Sequence, residues 1–210
     1  MENGFTDSKV FGVDEAGRGP LAGPLSFCIL HIPTPLLTKI HSGEFLVGLD
    51  DSKKLTENKR EELFLEINNS EIEYLHGFLT NRFIDKFGLA NSIFLLVKKL
   101  HQRLKEKNFL LIDGNYRFEP YFSKYKYRFS YQSIIKGDSR VASIACASII
   151  AKVKRDRYMK LISTKFPEYG FHKHKGYGTK EHRKKIDLFG LSSLHRKSFS
   201  IEKERSLFED

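Results

Sequence analysis

Cysteine is scarce in this chain, and long apolar runs, internal repeats and low-complexity segments are missing from its 210 residues. The two cysteines, Cys28 and Cys146, lie far apart and fit no CxxC pattern. That excludes a disulfide framework and points to a reducing compartment. The longest apolar run, IACASIIA, is far too short to span a bilayer, and the opening MENGFTDSKV is polar and acidic, unlike a signal or transit peptide. A soluble, cytoplasmic chain with no membrane partner is expected, and a monomer. Nucleotide-fold signatures are also missing. GRGPLAGP has the spacing GxGxxxG and is followed by a strand pattern where a dinucleotide fingerprint needs a helix, and no Gly-Lys-Ser/Thr loop occurs.

What remains is one fairly large domain with basic character. Forty per cent of residues are apolar, with 18 Phe and 9 Tyr to fill a core, and the net charge is +10. From 151 to 210 there are 16 Lys and Arg against 8 Asp and Glu, so most of the excess lies in the last part of the chain. A basic end beside an acid-bearing front half fits a nucleic-acid grip attached to a working site. A non-catalytic basic binding module is the alternative.

Apolar patterning predicts strands at KVFGVD, LSFCILHI, IEYLHGFLT (weakened at Gly77), NFLLIDG and YRFSYQSII. Pro33 and Pro35 close the second. Helices are expected after Thr56 as N-cap, from Leu89 to Lys107, and from Ser139 to about Ile162. The last begins apolar or small all round, so it should be buried. A single domain over 8–205 is expected, with an α/β core to about 160 and a basic C-terminal subdomain over 161–205.

Acids stand where strands end: Asp14 and Glu15 after the first, Asp113 after FLLID, and Asp138 between the last strand and the buried helix. If the strand ends converge, several carboxylates share one volume and repel unless cations neutralise them. Oxygen ligands without cysteine suit Mg²⁺ or Mn²⁺, and beside a polyanion they suggest two-metal phosphodiester hydrolysis. Taken singly, Asp138 also reads as a helix N-cap and Asp113 as a turn former. Asp14 and Glu15 are adjacent, and a pleated strand points neighbours to opposite faces. Both reach one cluster only if the strand breaks there, and Gly17 and Gly19 are candidates for the break. Gly17, Arg18 and Gly19 form a turn able to approach a ligand closely, with Arg18 free for phosphate. Lys53 and Lys54 in DDSKKL read equally as a helix-approach turn or as phosphate contacts. Lys173 and Lys175 fit phosphate better than His172, His174 and His182 fit zinc, because lysine neighbours repel a cation and no cysteine completes a set. Tyr177, between glycines, is an exposed ring able to stack on a sugar or base.

VDEAGRGPLAGP, DSKKL, LLIDG, KGD followed by SIACASIIAKVKRDRYM, HKGYGT and HRKSF stand in the order seen in bacterial ribonuclease HII, the type 2 ribonuclease H. The resemblance runs from Val10 to Phe199. It implies a ribonuclease H-like α/β fold, a central mixed sheet flanked by helices with a helical basic C-terminal extension. It implies an endonuclease that hydrolyses the RNA strand of RNA–DNA hybrids and cuts 5′ to ribonucleotides in duplex DNA, leaving 5′-phosphate and 3′-OH ends. The family's acidic set falls on Asp14, Glu15, Asp113 and Asp138, holding two Mn²⁺ or Mg²⁺ ions. Its glycine loop falls on Gly17, Arg18 and Gly19, around the ribonucleotide 2′-OH and phosphate, and its stacking tyrosine on Tyr177. Lys53 and Lys175 are expected on the phosphate backbone. Cys146, where alanine is common, and the leading acid of DDSKKL are the departures. The sister family, ribonuclease HIII, has a different glycine loop and a long N-terminal domain, for which the residues before Val10 leave no room.

Overall fold

The protein is described by a computed structural model over residues 9–104 and 108–199. Strands β1 (Lys9–Ala16), β2 (Leu25–His31), β3 (Glu73–Leu79), β4 (Asn108–Asp113) and β5 (Tyr131–Ile134) form one sheet in the order β3-β2-β1-β4-β5. β1–β2 and β2–β3 are antiparallel, whereas β1–β4 and β4–β5 are parallel. The sheet is therefore mixed, and β1 lies at its centre with helices on both faces.

Side-chain alternation sorts β1. Phe11 and Val13 enter one core with Phe27, Ile29, Leu110, Ile112 and the apolar stripe of α4 (Leu89–His101). Gly12 and Asp14 face the other side, towards α6 (Ala142–Ser163). There Cys28 and Leu30 pack with α2 (Glu57–Asn68) and the apolar first half of α6. Thr56 caps α2 as expected, its hydroxyl accepting from the Lys59 amide, and Leu63, Phe64 and Ile67 are buried. β3 runs unbroken through Gly77, where Leu96 fills the space a Cβ would need.

Three short helices lie outside those expected: α1 (Thr34–His41), α3 (Asn81–Phe87) and α5 (Glu119–Tyr125). Pro35 and Pro120 sit in the first turns of α1 and α5, where the missing amide costs nothing. The prolines that close β2 therefore also open a helix. α6 starts at Ala142 rather than Ser139, because Gly137–Ser139 forms a separate 3₁₀ turn and Val141 is extended. α4 ends at His101, and the expected continuation to Lys107 reaches residues outside those described. The same holds for the expected domain limits at 8 and 205.

The basic extension folds as α7 (Phe171–His174) and α8 (Lys180–Phe189). Phe171, Tyr169, Ile186 and Leu194 pack with Met159 of α6 and with Leu21 and Ala22 after β1. No described helix is long and apolar enough to cross a membrane.

Candidate active site

Asp14, Asp113 and Asp138 come together on the α6 side of the sheet. One oxygen from each lies within 4.8 Å of the other two. β1 and β4 are parallel neighbours, so their ends carry Asp14 and Asp113 to the same edge. The 3₁₀ turn before α6 adds Asp138, and Asp113 Oδ1 accepts the Gly137 amide at 2.7 Å, tying that turn to β4. The simple readings of these acids fail on geometry. Asp138 does not cap α6, whose N-cap is Val141 without a side-chain bond. Asp113 binds the turn after β5, not its own.

Burial, then the charges of Glu15 and Asp113, hold the Asp14 carboxyl well above the usual range, while the Ser148 hydroxyl works the other way. Burial, then Asp113 and Asp51, raises Asp138 as well. Lys53 Nζ stands 3.7 Å from Asp138 Oδ2. Burial lowers the Lys53 pKa, but Asp51, Asp14, Asp138 and Asp113 together outweigh it and raise it overall.

Glu15 is not part of that three-carboxylate group, although its charge acts on Asp14. The strand continues through Ala16 opposite Ser26, so the break at the glycines comes after both acids and alternation holds. Glu15 lies on the face of Tyr116 and Arg18: its Oε1 is 3.6 Å from Arg18 Nη1, and Oε2 is buried with no hydrogen-bond partner among the described residues. Burial raises its pKa to about 7, although Arg18 and the Tyr116 hydroxyl favour the charged form. Oxygen-only donors, mutual repulsion and an unpartnered Glu15 oxygen fit a hard divalent cation.

The Gly17–Gly19 turn borders this edge. Gly17 has φ +99°, the left-handed region, and a Cβ there would fall 2.1 Å from Arg155 Nε. At Gly19 an added Cβ would meet nothing within 4 Å, so the backbone lies open to a ligand. Arg18 is exposed and leans over the Tyr116 ring. Tyr177 is 41% exposed, with Lys152 and Arg155 against its ring. Lys175 does not reach outward: its ammonium donates to the His172 carbonyl, and burial lowers its pKa.

Of His172, His174 and His182, the first meets the Ser163 hydroxyl, the second stacks on the third, and His182 bonds His195; among the described residues none of them joins a metal-sized cluster. The Gly176 and Ser192 amides donate to Nδ1 of His174 and His195, leaving their Nε2 protons for the Tyr169 carbonyl and for His182 Nε2. His182 Nδ1 then donates to the Tyr177 carbonyl. Four contributors went unnoticed in the sequence: Ser148, Tyr116, Arg155 and Arg196. Arg155 had a signal, since it shares the buried stripe of Ala151 and Met159 at helical spacing. Arg196 sits in HRKSF, where nothing local marks it as buried.

The profile of the family described as Ribonuclease HII matches residues 11–201. A Ribonuclease HII of Caldicellulosiruptor bescii is 44% identical over 191 residues, 90% of this chain and 85% of the relative. The fold superimposes on the ribonuclease H2 of Pyrococcus horikoshii OT3 with a TM-score of 0.69 and 27% identity, covering 91% of this chain and 93% of that one. The RNase HII of a PCNA:RNase HII complex from Archaeoglobus fulgidus gives a TM-score of 0.71 and 25% identity, covering 93% and 97%.

Proposed function

The chain belongs to the ribonuclease HII family, and from that membership together with its carboxylate edge and glycine turn we propose that it cuts 5′ to single ribonucleotides embedded in duplex DNA as well as within longer hybrids. The coarser activity follows from the family: it is a metal-dependent ribonuclease H, an endoribonuclease acting on RNA–DNA hybrids, on a ribonuclease H-like fold.

Asp14, Asp113 and Asp138 would hold the divalent ions, with Glu15 as the fourth acid across the strand end. When bound, two such ions would supply Lewis-acid activation of water and stabilise the leaving 3′ oxygen, leaving 5′-phosphate and 3′-OH ends. The protein's own groups place the substrate. Arg18, exposed at the rim, would contact phosphate, and Lys53 beside Asp138 would do the same. Tyr177 would stack on the neighbouring sugar. Lys175, engaged with the His172 carbonyl, would have to release that bond to join them.

One observation supports ribonucleotide selection above the rest. Among the described residues the amides of Gly17, Arg18 and Gly19 donate no hydrogen bond, and Gly19 opens onto free space. Only the 2′-OH distinguishes RNA from DNA at one position, and unsatisfied amides at close range can read it. The test is cleavage of three labelled duplexes, one with a single ribonucleotide, one all DNA and one continuous hybrid, with Mn²⁺ or Mg²⁺ and with chelator. Cutting of the first and third only, abolished by chelator, is expected. Equal cutting of the DNA control, or activity in chelator, refutes the reading.

A further inference from the structure

Two buried arginines lie beneath the glycine turn. Arg155 on α6 and Arg196 in the turn after α8 are 0% and 1% exposed. Buried guanidinium groups are costly unless paired, yet neither makes an ion pair with a carboxylate among the described residues. Asp156 pairs with Lys152 at 2.9 Å instead. Asp85 of α3, near Arg196, uses its oxygens on the Lys197 and Ser198 amides at 3.1 and 2.9 Å.

Their partners are carbonyls of one loop. Arg196 donates to Gly17 O at 2.6 Å, Arg18 O at 2.9 Å and Gly23 O at 3.0 Å. Arg155 donates to Pro24 O at 2.9 Å and Ala22 O at 3.3 Å. The described peptides are trans, and in a trans peptide the carbonyl and the following amide point in opposite directions. Drawing the Gly17 and Arg18 carbonyls inward therefore turns the Arg18 and Gly19 amides outward, and those are amides without partners. The anchor is itself braced: Arg196 N donates to Leu21 O at 2.8 Å, and Asn81 of α3 donates to the Ser193 and His195 carbonyls at 2.9 and 3.0 Å.

We infer that Arg196, with Arg155 beside it, is a positioning residue for ribose recognition: its three-carbonyl grip aims the Arg18 and Gly19 amides at the sugar, although it never touches substrate. This rests on the ribonucleotide-selective reading above. A lysine in its place keeps the charge but cannot hold several carbonyls with a planar fork.

The experiment uses Arg196→Lys and Arg196→Ala in the full chain, measuring kcat and KM on the single-ribonucleotide duplex and on a continuous hybrid, together with thermal melting. For Arg196→Lys, melting close to the wild type is expected, with kcat on the single-ribonucleotide duplex reduced about a hundredfold, the cost of roughly 1 Å of misplacement. KM should stay within a few-fold. The continuous hybrid, with a hydroxyl at every position, should lose distinctly less. Millimolar guanidinium should restore part of the Arg196→Ala rate. A folded Arg196→Lys protein with wild-type kcat, or equal losses on both substrates, overturns the inference. Backbone amide NMR shifts of Arg18 and Gly19 give a readout independent of cleavage: they should move in Arg196→Lys, and unchanged shifts overturn the anchoring. A wild-type protein that leaves the single-ribonucleotide duplex uncut refutes the functional reading instead, and the amide shifts still decide the anchoring.

Discussion

Gly12 lies in the middle of β1 between Leu30 and Leu111, facing the start of α6. A Cβ added there would sit 2.2 Å from the Ser143 carbonyl carbon and 2.4 Å from the Ile144 nitrogen. Ordinary carbon contacts lie at about 3.5–4.0 Å, so the helix must retreat by roughly 1.5 Å. The obstructing atoms are backbone, and no change of rotamer relieves them. Overpacking of this kind costs about 3 kcal/mol. Loss of glycine's freedom in the unfolded chain offsets up to about 1 kcal/mol. Gly12→Ala should therefore cost about 2 kcal/mol, lowering the melting temperature by about 4–8 °C in a chain of this length. The displaced helix carries the turn holding Asp138, so cleavage should fall about a hundredfold as well. Calorimetry without metal and initial rates with Mn²⁺ measure the two effects. A melting temperature within about 1 °C of the wild type, with unchanged rate, would refute the packing argument.

Asp113→Asn keeps an oxygen for the Gly137 amide but removes one of three clustered charges. Cleavage should drop about 10⁴-fold, the scale for removing a catalytic carboxylate, while duplex binding persists and metal-free melting rises; a falling melting temperature would contradict the repulsion. Tyr177→Ala removes an exposed ring, so melting should barely change, whereas KM on the single-ribonucleotide duplex should rise by an amount equivalent to about 1–3 kcal/mol of stacking. Unchanged KM would leave the ring without a substrate role. Burial, then His174, His195 and Arg183, pushes the His182 pKa down to about 4, against the Tyr177 carbonyl bond that raises it. Because the folded value lies below the unfolded one, the neutral imidazole's contribution is complete above about pH 6.5 and is lost as pH falls towards 4. The urea midpoint of the wild type should thus fall more between pH 7 and 4.5 than that of His182→Gln; parallel curves would rule this out.

The clustered acids were legible in the sequence because carboxylates at strand ends sit in short local patterns: an apolar run, an acid, then glycine. LLIDG and VFGVDEAG each carry that signal within a few residues, and the α/β order of strands and helices follows from periodicity that local chemistry imposes. Thr56 capping α2 and the buried first half of α6 are of the same kind. Helices α1, α3 and α5 escaped because they are short, and their stability comes from contacts made elsewhere in the chain. That Glu15 lies outside the group of Asp14, Asp113 and Asp138 was legible only as a question, since it depends on where β1 stops pairing with β2. Arg196 escaped altogether: its partners Gly17 and Arg18 lie far away in sequence. By itself the sequence determined which chemistry the chain carries, because residue types and local spacing express it. Tertiary structure decided which acids meet, which face Glu15 takes and which way the glycine turn's amides point, because those depend on strand register and on buried bonds between distant segments.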